Sequence, residues 1–374
     1  MKVENHHILV LYYFIAWLGG SMAWFVQPFY FTHLGYTYED LGVIFSLLSA
    51  SQAVMFLFSG PLTLKLGYKR TIYLAVVFFM LTRVIHVIAP TYPLLLLASL
   101  SFGIGVALET PAFMTLLSEA VPEGGRHSLF SVNWGMATIG GALGILLGGY
   151  LSQWIGYRGA LIVAAFFIPL QGIIMLFVHE DGPAKKNRLA LTVRMLRRVL
   201  LLVTPIALIG FAGGIVLPYM GLWFNESYGM SITDVGMVFT LLQFVMGFGS
   251  FLAPLIVSRT GDEALIISFT AISGLTIAGM PFVESFMVAT ALYITRMLLV
   301  NTEVPIWDSY YVSHFSEKER ATALALKGFG WTAAFSGGQL LGGILFQDSL
   351  SLPLIVSGFI HIASALAFWI TKAR

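Results

Sequence analysis

The sequence predicts an all-α membrane protein of twelve transmembrane helices, arranged as two six-helix pseudo-symmetric halves. Three observations lead there. Hydrophobic residues fill 58% of the 374 positions and charged residues only 10%, against roughly 25% charge in a soluble domain. The apolar residues fall into runs long enough to cross a bilayer, which takes about 20 residues as a helix. The two parts of the chain also repeat each other at a constant offset.

That offset is 194 residues: Glu109-Thr110-Pro111 recurs as Glu303-Val304-Pro305. It also pairs Asp40-Leu41-Gly42 with Asp234-Val235-Gly236, Gly67 with Gly261, and Gly144, Gly148 and Gly149 with Gly338, Gly342 and Gly343. The charged turn Glu123-Gly124-Gly125-Arg126 corresponds to Glu317-Lys318-Glu319-Arg320. No gap is needed, and a register held over so long a stretch marks a tandem repeat.

Taken in order, the runs place spans at about 7–32, 41–64, 71–90, 92–117, 127–152 and 157–178, then at about 199–224, 234–257, 264–282, 286–313, 321–346 and 351–371. The first run, from Ile8 to about Phe31, is too long for the apolar core of a signal peptide and has no small-residue cleavage site, so it reads as a span. The polar, basic segment 179–198 is the linker of note. It divides an N-terminal bundle, 1–178, from a C-terminal one, 199–374. Of the 20 Lys and Arg residues, Arg83, Arg296 and Lys327 lie inside spans and Arg158 lies in one opposite loop. The rest fall on a single side, which the distribution of positive charge makes cytoplasmic, with both termini on it.

Composition excludes several classes. A net charge of +2 with all but three of its cations outside the spans gives no nucleic-acid surface, and the absence of cysteine removes disulfides, thiolate metal sites and cysteine nucleophiles. No glycine loop with a phosphate-binding lysine occurs, nor a zinc-protease or serine-hydrolase motif, so neither ATP, a metal nor another cofactor is expected, and no enzyme.

The loop after the second span reads Gly60-Pro61-Leu62-Thr63-Leu64-Lys65-Leu66-Gly67-Tyr68-Lys69-Arg70. It resembles the loop signature of the major facilitator superfamily, G-x-L-A-D-R-x-G-R-K, with Leu64 at the acidic position. The glycines of the fifth span resemble that family's glycine-rich fifth helix, although Ile145 follows Gly144 where its drug–proton antiporters carry Gly-Pro. Ser99 stands where the family's fourth helix carries an arginine. The resemblance covers the whole chain. It implies a secondary transporter working by alternating access on a small solute, needing no second copy to enclose a pathway and therefore expected as a monomer. In the family the loop acid serves a cytoplasmic charge latch, for which Lys65 and Arg70 would be the cations here.

Ionisable groups inside a membrane cost a few kcal/mol or more, so each is a functional candidate. Glu109 and Glu303 occupy equivalent places in spans 4 and 10, helices that line the central cavity in the family. A carboxyl group that gains and loses a proton there is what proton coupling requires. Arg296 lies two helical turns before Glu303 on the same face, and Trp307 one turn after it, giving a stripe of cation, acid and aromatic. Such an arginine suits an anionic or zwitterionic solute. Arg83 lies at a depth similar to Glu109 and is a candidate to pair with it. Asp308 and Lys327, at matching depth, are expected to pair as a tie or inner gate. Asn133 replaces Lys327 in the first repeat, and Gln27 and Trp24 on the first span are the expected further pocket members. The competing readings are efflux of amphipathic drugs or lipids, and a sensor on the same scaffold that transports nothing.

Overall fold

The computed structural model describes residues 5–122, 125–180, 193–260 and 262–372, nearly all of them helical. Helix α1 (Asn5–His33) runs into a turn at Gly35, where φ is +91°. Helix α2 (Tyr38–Leu66) opens on a reciprocal cap: Thr37 N donates to Asp40 Oδ2 at 2.9 Å and Asp40 N donates to Thr37 Oγ1 at 3.2 Å. Helix α3 (Tyr68–Ile88) follows Gly67, and α4 (Tyr92–Glu119) carries Pro93 in its first turn, where no donor is lost. Helix α5 (Arg126–Leu176) is broken at Gly156 (φ 77°, ψ 164°), so its 51 residues are two helices in one run. The sequence places the turn between two spans at that point.

Helix α6 (Val193–Val216) passes through a 3₁₀ turn at Leu217–Tyr219 into α7 (Met220–Tyr228). The span expected at 199–224 therefore bends at Pro218, which has no N–H to continue the ladder. Helix α8 (Ile232–Thr260) repeats the cap of α2: Ser231 N donates to Asp234 Oδ2 and Asp234 N to Ser231 Oγ, both at 3.2 Å. The repeated aspartates of the sequence are thus helix starts. Helices α9 (Asp262–Gly279), α10 (Phe286–Ser313), α11 (Glu317–Asp348) and α12 (Leu352–Lys372) complete the chain. Among the described residues, eight helical segments are long and apolar enough to cross a membrane. Helices α10 and α11, which carry Arg296, Glu303, Asp308 and Lys327, are not among the eight. Most of the linker drawn at 179–198, and the charged turn at Glu123 and Gly124, lie outside the described residues.

Two compact units form. The first comprises Met1–Tyr36, Ala50–Lys186 and Phe224–Gln243; the second comprises Thr37–Ser49, Asn187–Trp223 and Phe244–Arg374. Lipid offers little hydrophobic drive between helices, so close backbone packing by small residues carries their association. In the first unit a Cβ on Gly140 would lie 2.6 Å from the carbonyl oxygen of Phe14, which ties α5 to α1, and one on Gly149 would lie 3.2 Å from that of Ile232. In the second, a Cβ on Gly338 would collide with the carbonyl oxygen of Phe211, and one on Gly42 would lie 3.1 Å from Gly343 Cα. The glycine pair Gly42–Gly343 and the pair Gly236–Gly149 are the same repeat positions exchanged. Each unit has its own apolar core, around Tyr12, Phe113 and Leu117 in the first and around Trp307, Tyr311 and Phe368 in the second. Large apolar side chains such as Phe166, Leu275 and Phe359 point outward, as a lipid-facing surface requires.

Candidate functional site

Each unit encloses a cavity with one glutamate in its wall. In the second unit the cavity measures about 460 Å³ and is walled by α6, α10 and α11. Glu303 enters it from α10, at the proline-containing stretch that the repeat singles out. Its Oε1 accepts from Trp307 Nε1 at 2.5 Å, and Thr270 Oγ1 on α9 approaches the same oxygen at 2.5 Å. The Thr270 hydroxyl also lies 2.7 Å from the carbonyl oxygen of Ile266. A hydroxyl has one proton but can also accept. Thr270 can therefore donate to an ionised Glu303, or turn to Ile266 and accept from a protonated one. The geometry serves both protonation states.

Arg296 lines the same cavity from α10 and is 2% exposed. Its Nη1 contacts Met297 Sδ at 3.2 Å, and its buried Nε has no partner among the described residues. Seven residues of helix rise about 10.5 Å, so Arg296 and Glu303 share a face without forming an ion pair. Trp307, one turn beyond Glu303, bonds the glutamate directly. Lys327 Nζ and Asp308 Oδ1 form an ion pair between α11 and α10 in the cavity wall, with Lys327 also 5.9 Å from the Tyr311 ring centroid.

In the first unit a cavity of about 450 Å³ is lined by Trp17, Trp24, Arg83, Phe102 and Glu109, among others. Tyr12 OH donates to Glu109 Oε1 at 2.5 Å. The two cavities thus hold their glutamates alike, each on an aromatic donor, although Tyr12 and Trp307 are not equivalent positions of the repeat. No ion pair joins Arg83 to Glu109 among the described residues. Arg83 instead sits 5.5 Å from the Phe102 ring centroid, with Nη1 3.4 Å from His86 Nδ1. Equal depth brought both residues to one cavity, but Tyr12 occupies the carboxylate.

Trp24 lines the cavity, whereas Gln27, one turn on, does not. Its Nε2 lies 3.0 Å from His86 Nδ1 inside the bundle. Asn133 is also outside both cavity walls, fully buried, and neither amide atom has a partner among the described residues. Lys65 and Arg70 are exposed. Their neighbour Lys69 does the tying, donating from Nζ to the carbonyl oxygens of Leu176 at 3.0 Å and Val178 at 2.7 Å. The loop whose acidic position holds Leu64 receives an acid from elsewhere: Glu180 accepts from Tyr68 N at 2.7 Å and Lys69 N at 3.2 Å, at the start of α3. Sequence reasoning missed Tyr12, Thr270 and Glu180. Only polarity inside an apolar run could have flagged the first two, and nothing marks Glu180 apart from its neighbours.

Comparisons with known proteins bear on this arrangement. The chain matches the quinolone resistance protein NorA of Staphylococcus aureus at 26% identity over 174 residues, covering 44% of this chain and 45% of that protein. It matches the uncharacterized MFS-type transporter EfpA of Mycobacterium tuberculosis at 28% identity over 135 residues, covering 36% and 24%. The chain thus spans less than half the length of the curated relatives it matches. Its fold is that of the nucleoside transporter NupG, with a TM-score of 0.82 at 13% identity over 100% of both chains. The bacterial homolog of the human lysosomal transporter Spinster aligns with a TM-score of 0.81 at 14% identity, over 98% of this chain and 96% of that one. The sequence profile of the Major Facilitator Superfamily matches residues 9–307 and 206–374, and the chain belongs to that superfamily of integral membrane transporters.

Proposed function

We propose that the protein is a proton-coupled secondary transporter of a small organic anion or zwitterion, with twelve spans in two six-helix halves, both termini in the cytoplasm of a cell inner membrane, and alternating access. One observation carries the reading: Glu303, held by two donors, and Arg296, which pairs with no carboxylate among the described residues, face one cavity. Arg296 offers a planar, permanently charged fork to a solute carboxylate. Glu303 offers a proton-exchanging group about two helical turns away, close enough for one solute to sense both. Asp308 and Lys327, paired at the wall, act as a gate that a solute would separate. Glu109 is the corresponding group of the first half.

The test is uptake by the purified protein reconstituted in vesicles, driven by an imposed pH gradient, across a panel of carboxylates and their neutral amides. The reading expects uptake of some carboxylates that collapses with the gradient. Uptake indifferent to the gradient would remove proton coupling. A second reading, export of amphipathic compounds, draws on the similarity to a quinolone resistance protein and on the apolar cavity wall, including Ile206, Leu217 and Trp331. Preference for bulky neutral amphipaths over carboxylates in the same vesicles would favour it.

A further inference from the structure

At the end of the first unit away from Lys65 and Arg70, three turns converge on a hollow of about 380 Å³ that is separate from both glutamate cavities. Its walls come from the C-terminal ends of α1 and α3 and from the break in α5 at Gly156. Two hydrogen bonds brace it. Tyr36 OH donates to the carbonyl oxygen of Pro90 at 2.6 Å, joining the turn after α1 to the turn after α3. Arg158 Nε donates to the carbonyl oxygen of Val87 at 2.9 Å, joining the restarted α5 to α3 and fixing a cation in the wall.

The polar groups of the hollow ask for an anion. Arg158 is the single Lys or Arg that the sequence leaves in a loop on this side. It is exposed, and among the described residues it pairs with no carboxylate and its two terminal nitrogens make no hydrogen bond. Tyr30 lines the same hollow at 4% exposure, and its hydroxyl also has no hydrogen-bond partner among the described residues. A guanidinium only donates and a phenol can donate, so both point to acceptor oxygens. The surroundings say what carries them. Ile88 and Ile155 line the hollow and are 69% and 53% exposed, and Trp154 beside it is 81% exposed. Large apolar side chains bare beside a cation mark the boundary between hydrocarbon and headgroups, where Trp and Tyr gather. A free phosphate would satisfy Arg158 and leave that apolar shoulder uncovered. A zwitterionic phospholipid brings a phosphate already compensated by its own ammonium. An anionic phospholipid supplies an uncompensated phosphodiester together with chains for the shoulder.

We propose that this hollow binds the headgroup of an anionic phospholipid, with the phosphodiester on Arg158 and the Tyr30 hydroxyl and the acyl chains over Ile88 and Ile155. A guanidinium meets two phosphate oxygens at once in a charge-assisted pair, and basic pockets between membrane helices take such headgroups. The site uses neither Glu109 nor Glu303 and is read at equilibrium, so its failure would leave the coupling role of Glu303 standing.

The chain has no cysteine, so Trp154→Cys gives a single labelling point beside the hollow, distant from the basic loops at the other end. The full chain, labelled there with bimane, is placed in phosphatidylcholine nanodiscs doped with brominated phosphatidylglycerol or, in parallel, brominated phosphatidylcholine, whose bromines quench a neighbouring fluorophore. Quenching by phosphatidylglycerol is expected to saturate at a mole fraction about tenfold lower than quenching by phosphatidylcholine, the scale of one charge-assisted contact. Arg158→Gln should bring the two curves together. Tyr30→Phe, which keeps the ring and removes only the hydroxyl, should narrow the gap, and excess inorganic phosphate should leave it unchanged. Should Arg158→Gln fail to fold, Tyr30→Phe and the comparison of the two lipids still decide. Coincident curves in the labelled parent, a gap that survives both substitutions, or reversal of the quenching by inorganic phosphate would each overturn the proposal.

Discussion

Trp307 Nε1 donates to Glu303 Oε1 at 2.5 Å from one turn further along α10, while Thr270 reaches the same oxygen from α9. Two donors on one carboxylate oxygen make each partly redundant. Trp307→Phe should cost about 1 kcal/mol, the net worth of one hydrogen bond. The double variant with Thr270→Val should cost more than the two single changes together, because the buried carboxylate then loses both partners. Denaturation of the purified variants checks this; strict additivity would mean that the two donors act independently.

The Asp308–Lys327 pair has one partly solvated partner, with Asp308 about half exposed and Lys327 mostly covered. Solvent screening limits such a pair. A double-mutant cycle with Asp308→Asn and Lys327→Gln should give a coupling of about 0.5–1 kcal/mol that shrinks in high salt. No coupling would remove the tie, and with it the proposed gate.

Glycine positions separate seam from surface. Gly338→Ala would drive a methyl group into the Phe211 carbonyl and should destabilise by about 1–3 kcal/mol, as overpacking does. A Cβ added at Gly328, on the same helix, would meet nothing within 4 Å. There Gly328→Ala should be neutral or slightly stabilising, because alanine costs less backbone entropy in a helix. Thermal melting of both in the same detergent distinguishes them, and equal effects would contradict the seam.

Glu180 caps α3 in place of the acid missing at Leu64, and Gly67 stands against it with φ +88°. Glu180→Ala should cost about 1 kcal/mol, the usual worth of an N-terminal cap. Gly67→Ala should cost more than a routine surface change, since an alanine there is strained at that φ as well as crowded by the carboxylate. If Glu180→Ala is as stable as the parent, the cap contributes nothing.

Much of this was legible in the sequence because expensive residues advertise themselves. Glu109, Glu303, Arg296 and Lys327 interrupt apolar runs, and a charge in such a run has few places to go, so their presence in cavity walls follows from cost alone. The repeat was readable because glycines and capping aspartates hold fixed geometric duties. Helical rotation was not readable. Gln27 and Trp24 lie three residues apart on a helix that is apolar all round, and no amphipathic stripe told which would face the cavity. Partner choice was equally hidden: Arg83 and Glu109 meet one cavity, but Tyr12, ninety-seven positions from Glu109, reached the carboxylate first. Asn133 was inferred from its repeat partner Lys327, yet the repeat preserves backbone position and not side-chain company.

The most direct measurement is substrate-linked proton movement in vesicles, comparing the parent with Glu303→Gln. A glutamine keeps the shape and can still accept from Trp307 and Thr270, so the cavity should bind its solute nearly as before. The expected result is retained solute binding with loss of pH-gradient-driven uptake and of the accompanying proton flux. Proton-coupled uptake that survives Glu303→Gln unchanged would contradict the central claim and take Glu303 out of the mechanism.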